Sequence, residues 1–169
     1  MVYQGKDAAV EEKFQSFGLG PRVVLSLSED YWGKNRIVYF DNYFSSLDLL
    51  EKLKAKNTLA CGTIKSDRVG LPKQMKPDKE MTRGDIDYRV SKMDVTYCKW
   101  HDNRVVHLIS NYHGTKSTTV KRMQKDGSRK DIACPEIVPD YNRYMGGVDR
   151  ADRLRQAYCI NRRSKKMVA

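Results

Sequence analysis

Apolar runs separated by turn residues in the first third of the chain predict an α/β core. Residues 36–40 form a run that is apolar from its second position and is followed by Asp41. This pattern is typical of a strand buried on both faces. Residues 45–53 predict a helix, because a serine hydroxyl group can cap it and Leu49, Leu50 and Leu53 fall on one stripe. Residues 59–64 predict a second strand. A strand, a helix and a strand at this spacing form a βαβ unit, so we expect parallel strands.

The flanking segments add a helix before this unit and further strands after it. A glycine-proline turn precedes residues 22–27, which suit a helix with Pro21 at its first position. Residues 86–110 contain alternating and apolar runs with a tight turn and predict a β-meander. Basic residues around the Asp-Gly pair at 126–127 predict a second hairpin. Residues 148–158 follow a double glycine and predict a helix.

The net charge of +11 comes from the second part of the chain. Residues 1–60 carry eight basic and eight acidic side chains, whereas the rest carries 24 basic and 13 acidic. Such an excess suits a polyanionic partner, although a charged surface that maintains solubility would also explain it. Residues 65–84 are basic, poor in apolar side chains and interrupted by glycine and proline. They predict a loop that can contact DNA, and residues 162–166 form a basic tail.

The cysteines and histidines do not indicate a metal site or a disulfide framework. The four cysteines are scattered without a Cys-x-x-Cys pair, so we expect buried free thiols in a reducing compartment. The three histidines recur every six residues, which fits neither one helix face nor a familiar zinc motif. No apolar stretch reaches the length of a membrane span, and the first residues lack the apolar core of a signal peptide. We therefore expect a soluble, intracellular protein without a membrane partner.

Two aspartates stand at positions where carboxylates can meet. Asp41 follows the end of a predicted strand, where parallel sheets place their active sites, and Asp149 follows a double glycine at a predicted helix start. Phosphodiester chemistry with two Mg²⁺ ions needs several carboxylates that converge on one point. Each acid also has a structural interpretation, since Asp41 can form an Asx turn and Asp149 can cap its helix. Local pattern alone favours the structural interpretation.

Five segments, in their order and spacing, resemble the piggyBac transposase family. They are residues 40–46 (FDNYFSS), 61–72 (CGTIKSDRVGLP), 83–84 (RG), 100–110 (WHDNRVVHLIS) and 140–152 (DYNRYMGGVDRAD). The resemblance covers nearly the entire chain, from about residue 3 to residue 166. The first and last of these segments together are its most specific part.

The resemblance implies a ribonuclease H-like catalytic fold, in which a mixed sheet is flanked by helices. This chain would hold a truncated part of it, so that residues 1–169 form one partial catalytic domain. Residues 1–66 and 134–166 would belong to the ribonuclease H-like core. Residues 84–125 would form a β-rich insertion.

The same resemblance implies a cut-and-paste transposition of DNA through hairpin ends at TTAA sites. By motif, Asp41 would be the second aspartate of a catalytic triad and Asp149 the third, with Asp152 as a further acid at the Mg²⁺ site. Double-stranded DNA would be the partner, and a homodimer and a nuclear location would fit this role. From charge and position we add five phosphate contacts: Lys65, Arg68, Arg83, Arg150 and Arg153.

The sequence departs from the family pattern at its beginning. The first triad aspartate would lie upstream of residues 3–6, and Asp7, Glu11 and Glu12 do not sit in a comparable apolar strand. We therefore expect an incomplete ligand set, an open sheet edge at residues 37–40, and no DNA cleavage by this chain alone. Two alternatives stay open. One is a host-adopted, non-catalytic module that binds DNA or chromatin, and the other is a basic protein-interaction domain.

Overall fold

The computed structural model describes residues 13–124 and 126–158. Its helices are α1 (Leu19–Ser28), α2 (Leu47–Ala55), α3 (Ile137–Tyr144) and α4 (Gly147–Ala157). Its strands are β1 (Ile37–Phe40), β2 (Leu59–Thr63), β3 (Ile86–Val90), β4 (Thr96–His101), β5 (Val105–Ser110), β6 (Ser117–Met123) and β7 (Arg129–Pro135). The basic tail and the three early acids named above lie outside the described residues.

The main sheet is mixed, with the strand order β1-β2-β5-β4-β3. β1 and β2 run parallel, and the other neighbouring pairs run antiparallel. The predicted βαβ unit, the β-meander and the α/β class are thereby confirmed. β6 and β7 form a separate antiparallel ribbon around the Asp-Gly turn, which confirms the second hairpin.

The meander is continuous with the βαβ unit, because β5 pairs with β2. Residues 86–110 therefore share one sheet with β1 and β2, while residues 117–135 form the ribbon. Trp100 on β4 joins the ribbon to the main sheet by donating its Nε1 hydrogen to Ala133 O at 2.8 Å. The division of the chain into a core and an insertion at residues 84–125 stays a prediction.

The first of two buried clusters forms between α2, α1 and the main sheet. Ser46 caps α2, since its Oγ accepts a hydrogen bond from Leu49 N at 3.3 Å. The predicted leucine stripe of Leu49, Leu50 and Leu53 is fully buried. The side chains packed around it come from five elements: Val24, Leu25, Phe40, Ala60, Tyr97 and Ile109. Each buried leucine contributes about 2 kcal/mol to folding.

The second buried cluster joins α3 and the ribbon to the main sheet. Its members are Cys61, Cys98, Trp100, Leu108, Ile132, Cys134, Ile137 and Val138. The three cysteines among them are free thiols, as expected. Burial raises the pKa of all three, that of Cys134 to about 11, so they stay protonated and pack as small apolar groups. Cys159 lies outside the described residues.

β1 is less buried than its sequence predicts. Ile37 is 40% exposed, Val38 and Tyr39 are half-buried, and Phe40 is buried. The prediction of a strand buried on both faces is wrong because β1 lies at the edge of the sheet and, among the described residues, pairs with β2 alone. The position at the edge agrees with the open edge expected at residues 37–40.

The helices differ from the prediction in two details. α1 begins at Leu19, so Pro21 is its third residue and not its first. Proline is tolerated there because the first amides of a helix have no partner within it. α3 was not predicted, and it leads directly into α4. In the part of the chain that the structure describes, no helix is long and apolar enough to cross a bilayer.

Candidate active site

Asp41 lies directly after β1, at the carboxyl end of the strand. Its Oδ1 accepts a hydrogen bond from Tyr43 N at 2.9 Å, which is the Asx turn of the structural interpretation. Its main-chain oxygen accepts a hydrogen bond from Ser45 Oγ at 3.0 Å, and the same hydroxyl reaches Thr63 O on β2. No described residue donates a hydrogen bond to Asp41 Oδ2, so this oxygen remains able to bind a ligand.

The loop that follows Asp41 is held from two sides. Arg68 donates from Nη2 to Asn42 O at 3.1 Å and to Tyr43 O at 2.7 Å. On the other side, a Cβ added to Gly20 of α1 would lie 2.8 Å from Tyr43 O, so the close approach requires glycine. The direction of the Asp41 side chain is therefore fixed by contacts with two distant segments.

Asp41 and Asp149 both line a groove of about 530 Å³. Asp149 is exposed in the first turn of α4. Asp149 is not the N-cap of α4, because Gly146 occupies that position. The other walls of the groove are mostly apolar and include Val23, Val24, Leu27, Tyr31, Val38, Tyr39, Phe40, Phe44, Tyr144 and Met145.

Asp152, the third predicted ligand, lies further along α4 and does not line the groove. It is exposed, and its Oδ1 pairs with Arg155 Nη2 at 3.2 Å. Residues 13–124 and 126–158 contain no group of three or more His, Cys, Asp or Glu side chains that could hold a metal ion. The groove thus offers two carboxylates, and a cation bound there needs additional ligands from water or phosphate.

The five predicted phosphate contacts fall into two groups. Three of them are exposed: Lys65, Arg150 and Arg153. The other two have partners within the protein, because Arg68 holds the loop after Asp41 and Arg83 donates from Nε and Nη2 to Asp102 Oδ1 at 3.1 and 3.0 Å. DNA contact stays a prediction for all five, and exposure favours the first group.

A hydrogen-bonded cluster around Asp140 joins α3 to the sheet, and sequence reasoning missed it. Asp140 Oδ2 accepts hydrogen bonds from Tyr39 OH at 3.0 Å and from Tyr112 OH at 2.6 Å. The same oxygen lies 3.2 Å from His113 Nε2, and His113 Nδ1 lies 2.9 Å from Ser110 Oγ. We call these five residues the Asp140 cluster. Its one signal in the sequence is that Asp140 opens the motif segment at residues 140–152.

The protonation states within the Asp140 cluster follow from its burial. Burial raises the pKa of Tyr39 to about 12 and also raises the pKa of Tyr112, and the bonds to Asp140 act in the same direction. Burial lowers the pKa of His113, against the opposing effect of Asp140. At neutral pH the phenols therefore keep their protons and the imidazole is neutral. A neutral imidazole that carries its proton on Nε2 can donate a hydrogen bond to Asp140 Oδ2.

Comparisons with known proteins agree with the motifs. The family model described as Transposase IS4 matches residues 1–168. PiggyBac transposable element-derived protein 3 of Homo sapiens is 34% identical over 173 residues, which cover 97% of this chain and 28% of that protein. PiggyBac transposable element-derived protein 2 of Homo sapiens is 32% identical over 135 residues, covering 76% and 23%. The chain therefore spans about a quarter of the length of these relatives.

A solved structure shows the same fold. It is the piggyBac transposase synaptic complex with hairpin DNA, with a TM-score of 0.68 and 22% identity over 92% of this chain and 30% of that chain. This match confirms the expected α/β architecture, a mixed sheet with flanking helices. The family inferred from the motifs is confirmed as well, and the chain belongs to the piggyBac-type transposases of the Transposase IS4 family.

Proposed function

We propose that these residues form part of the catalytic core of a cut-and-paste DNA transposase, in which Asp41 and Asp149 hold a divalent cation beside a DNA phosphate. The observation that carries this proposal is that the two acids line one groove although they are far apart in the sequence. The chain spans 28% of PiggyBac transposable element-derived protein 3. We accordingly propose cleavage and strand transfer for the longer protein to which such a segment contributes.

The side chains in the groove fit Mg²⁺. This hard cation prefers oxygen ligands and is commonly bound through one or two carboxylates together with waters and substrate phosphates. Asp41 Oδ2 has no donor among the described residues, and Asp149 forms no ion pair with any of them. When bound, Mg²⁺ would neutralise charge on the phosphate oxygens at which DNA is cut or joined. Asp152 would influence the cation through its charge and not as a direct ligand, because its carboxylate is paired with Arg155.

The protein's own residues orient the first carboxylate and shape the groove. The hydrogen bond from Tyr43 N fixes one Asp41 oxygen and leaves the other directed away from that bond. Arg68 stabilises the loop through two backbone carbonyls, so this arginine positions Asp41 even if it also approaches DNA. The apolar groove walls leave the two carboxylates as the charged side chains that face the groove.

We also propose that the partner is double-stranded DNA and that the protein acts in the nucleus. Exposed Arg150 lies next to Asp149 in the first half of α4, and Arg153 follows one turn later, so a phosphate near the groove would meet positive charge. The solved relative is a synaptic complex with hairpin DNA, which supports a DNA partner. TTAA target sites and a homodimer are part of the same proposal.

DNA binding is expected to depend on salt through the three exposed basic residues. Each phosphate contact contributes about 0.9 to the slope of log affinity against log salt concentration. Replacing Lys65, Arg150 and Arg153 together by glutamine is therefore expected to reduce this slope by about 2 to 3 and to weaken binding at least about tenfold. The measurement is a gel mobility shift on duplex DNA at several NaCl concentrations.

A matched control separates location from total charge. It replaces three exposed lysines outside the predicted contact set by glutamine: Lys34, Lys56 and Lys92. We expect the control to keep most of the slope, and an equal loss in both variants would contradict the assigned surface. If the unaltered protein shows no salt-sensitive binding, the basic protein-interaction domain is the better description. Binding that is unaffected by Mg²⁺ would favour the non-catalytic DNA-binding module.

A further inference from the structure

The Asp140 cluster links the two elements that carry the groove acids. Asp140 is in α3, and three donors converge on its Oδ2: Tyr39 from β1, and Tyr112 and His113 from the segment after β5. Tyr39 is on β1, two residues before Asp41. Its hydroxyl group therefore ties α3 to the strand end from which Asp41 projects.

The other end of the link leads to Asp149. α3 ends at Tyr144 and α4 begins at Gly147, so only two residues separate the helices. The ring of Tyr144 lies 5.1 Å from the ring of Tyr39, which adds a second contact between α3 and β1. A shift of α3 moves the point from which α4 starts, and Asp149 lies in the first turn of α4.

The side chains of residues 149–158 contribute little to the packing of α4 against the rest of the protein. Every side chain from Asp149 to Tyr158 is exposed, including Leu154 at 45% and Tyr158 at 78%. Exposed side chains such as those of residues 149–158 do not hold a helix against a sheet by apolar packing. The position of residues 149–157 relative to β1 therefore depends on α3, where Ile137 and Val138 anchor the beginning and Asp140 the middle.

A carboxylate is the group suited to this link. One ionised oxygen can accept several hydrogen bonds at once, and bonds to a charged acceptor are stronger than neutral ones. An amide in its place would offer a weaker acceptor and would bring an NH₂ group towards three donors. The hydrogen bonds have preferred directions, whereas the hydrophobic effect that buries Ile137 and Val138 is non-directional.

We propose that Asp140 is a positioning residue, which sets the separation of Asp41 and Asp149 through the bonds of its Oδ2 to Tyr39, Tyr112 and His113. The inference rests on the proposed function of the two acids as cation ligands. It assigns Asp140 no contact with DNA or with the cation. Its role is to hold α3, and through it the start of α4, at the distance from β1 at which two carboxylates can share one ion.

The test combines amide hydrogen exchange with Mn²⁺ binding on the full chain. In Asp140→Asn, exchange at residues 137–157 is expected to rise at least about tenfold, the equivalent of one hydrogen bond to a charged group. Exchange in β2, β4 and β5 stays unchanged. The affinity for Mn²⁺, measured by water-proton relaxation, is expected to fall by at least about tenfold for the same reason. Tyr112→Phe removes one donor without removing the charge and is expected to shift both quantities in the same direction by a smaller factor.

The control is Asp131→Asn, which removes the same charge from an exposed position on β7 and should change neither quantity. Faster exchange throughout the chain would make Asp140 a general stabiliser and overturn the proposal. Unchanged Mn²⁺ affinity in Asp140→Asn and Tyr112→Phe, in a protein that binds Mn²⁺, would also overturn it. Absence of Mn²⁺ binding by the unaltered chain would instead refute the proposed function on which the inference rests.

Discussion

Replacing Asn111 by alanine is expected to lower the free energy of unfolding by about 3 to 5 kcal/mol, because it breaks several buried hydrogen bonds at once. Asn111 is 3% exposed. Its Oδ1 accepts a hydrogen bond from Ala60 N at 2.7 Å, and its Nδ2 donates to Leu50 O at 3.2 Å and Thr58 O at 3.0 Å. One side chain thus joins β2, α2 and the turn between them.

The measurement is a urea titration followed by tryptophan fluorescence, with Asn103→Ala as the matched control. Asn103 is exposed in the turn between β4 and β5, so its replacement should change stability by less than about 0.5 kcal/mol. Equal midpoints for Asn111→Ala and the unaltered protein would show that the Asn111 side chain does not join β2 to α2 in solution.

Gly62→Ala is expected to have the second large effect, and it alters a residue paired with the end of β1, next to Asp41. Gly62 on β2 stands opposite Phe40, the last residue of β1. A Cβ at this position would lie 2.5 Å from Phe40 O and 2.8 Å from Phe40 Cδ2. Because a backbone atom cannot move away as a flexible side chain can, we expect a loss of about 3 kcal/mol. The end of β1 would be displaced, and Asp41 with it.

Gly114→Ala is the control for this substitution, since a Cβ at Gly114 meets no atom within 4 Å. Thermal unfolding should show a clear fall in midpoint for Gly62→Ala and a change within experimental error for Gly114→Ala. Chemical shift changes in the first variant should spread to residues 40–43. A stable Gly62→Ala protein with unchanged shifts there would contradict the close approach of β1 and β2.

The local features of the chain could be predicted because their causes are local. The Ser46 cap and the leucine stripe of α2 need only a few neighbouring residues, and both are confirmed. Asp41 was identified as a candidate from its place after a strand, and the structure shows it lining a groove with Asp149. The burial of β1 was misjudged, because an apolar run does not reveal whether its strand is central or at an edge.

The partners of charged side chains could not be predicted, because they are distant in the sequence. Arg68 donates hydrogen bonds to main-chain carbonyls 25 and 26 residues before it in the sequence. From the sequence alone, a basic residue in a predicted loop is expected to contact a DNA phosphate. Asp140 accepts hydrogen bonds from Tyr112, which is 28 residues earlier in the sequence, and from Tyr39, which is 101 residues earlier. No periodicity or spacing rule relates such pairs, so only the folded chain identifies them.

The central claim is that Asp41 and Asp149 bind one cation together, and a Mn²⁺ titration observed by NMR tests it most directly. Paramagnetic Mn²⁺ broadens the signals of nearby amides. The account predicts that amides at residues 40–43 and at residues 147–151 broaden together, with one common affinity, and that Asp41→Asn or Asp149→Asn abolishes both effects. Broadening of only one group, or of the two groups with different affinities, would contradict a shared site.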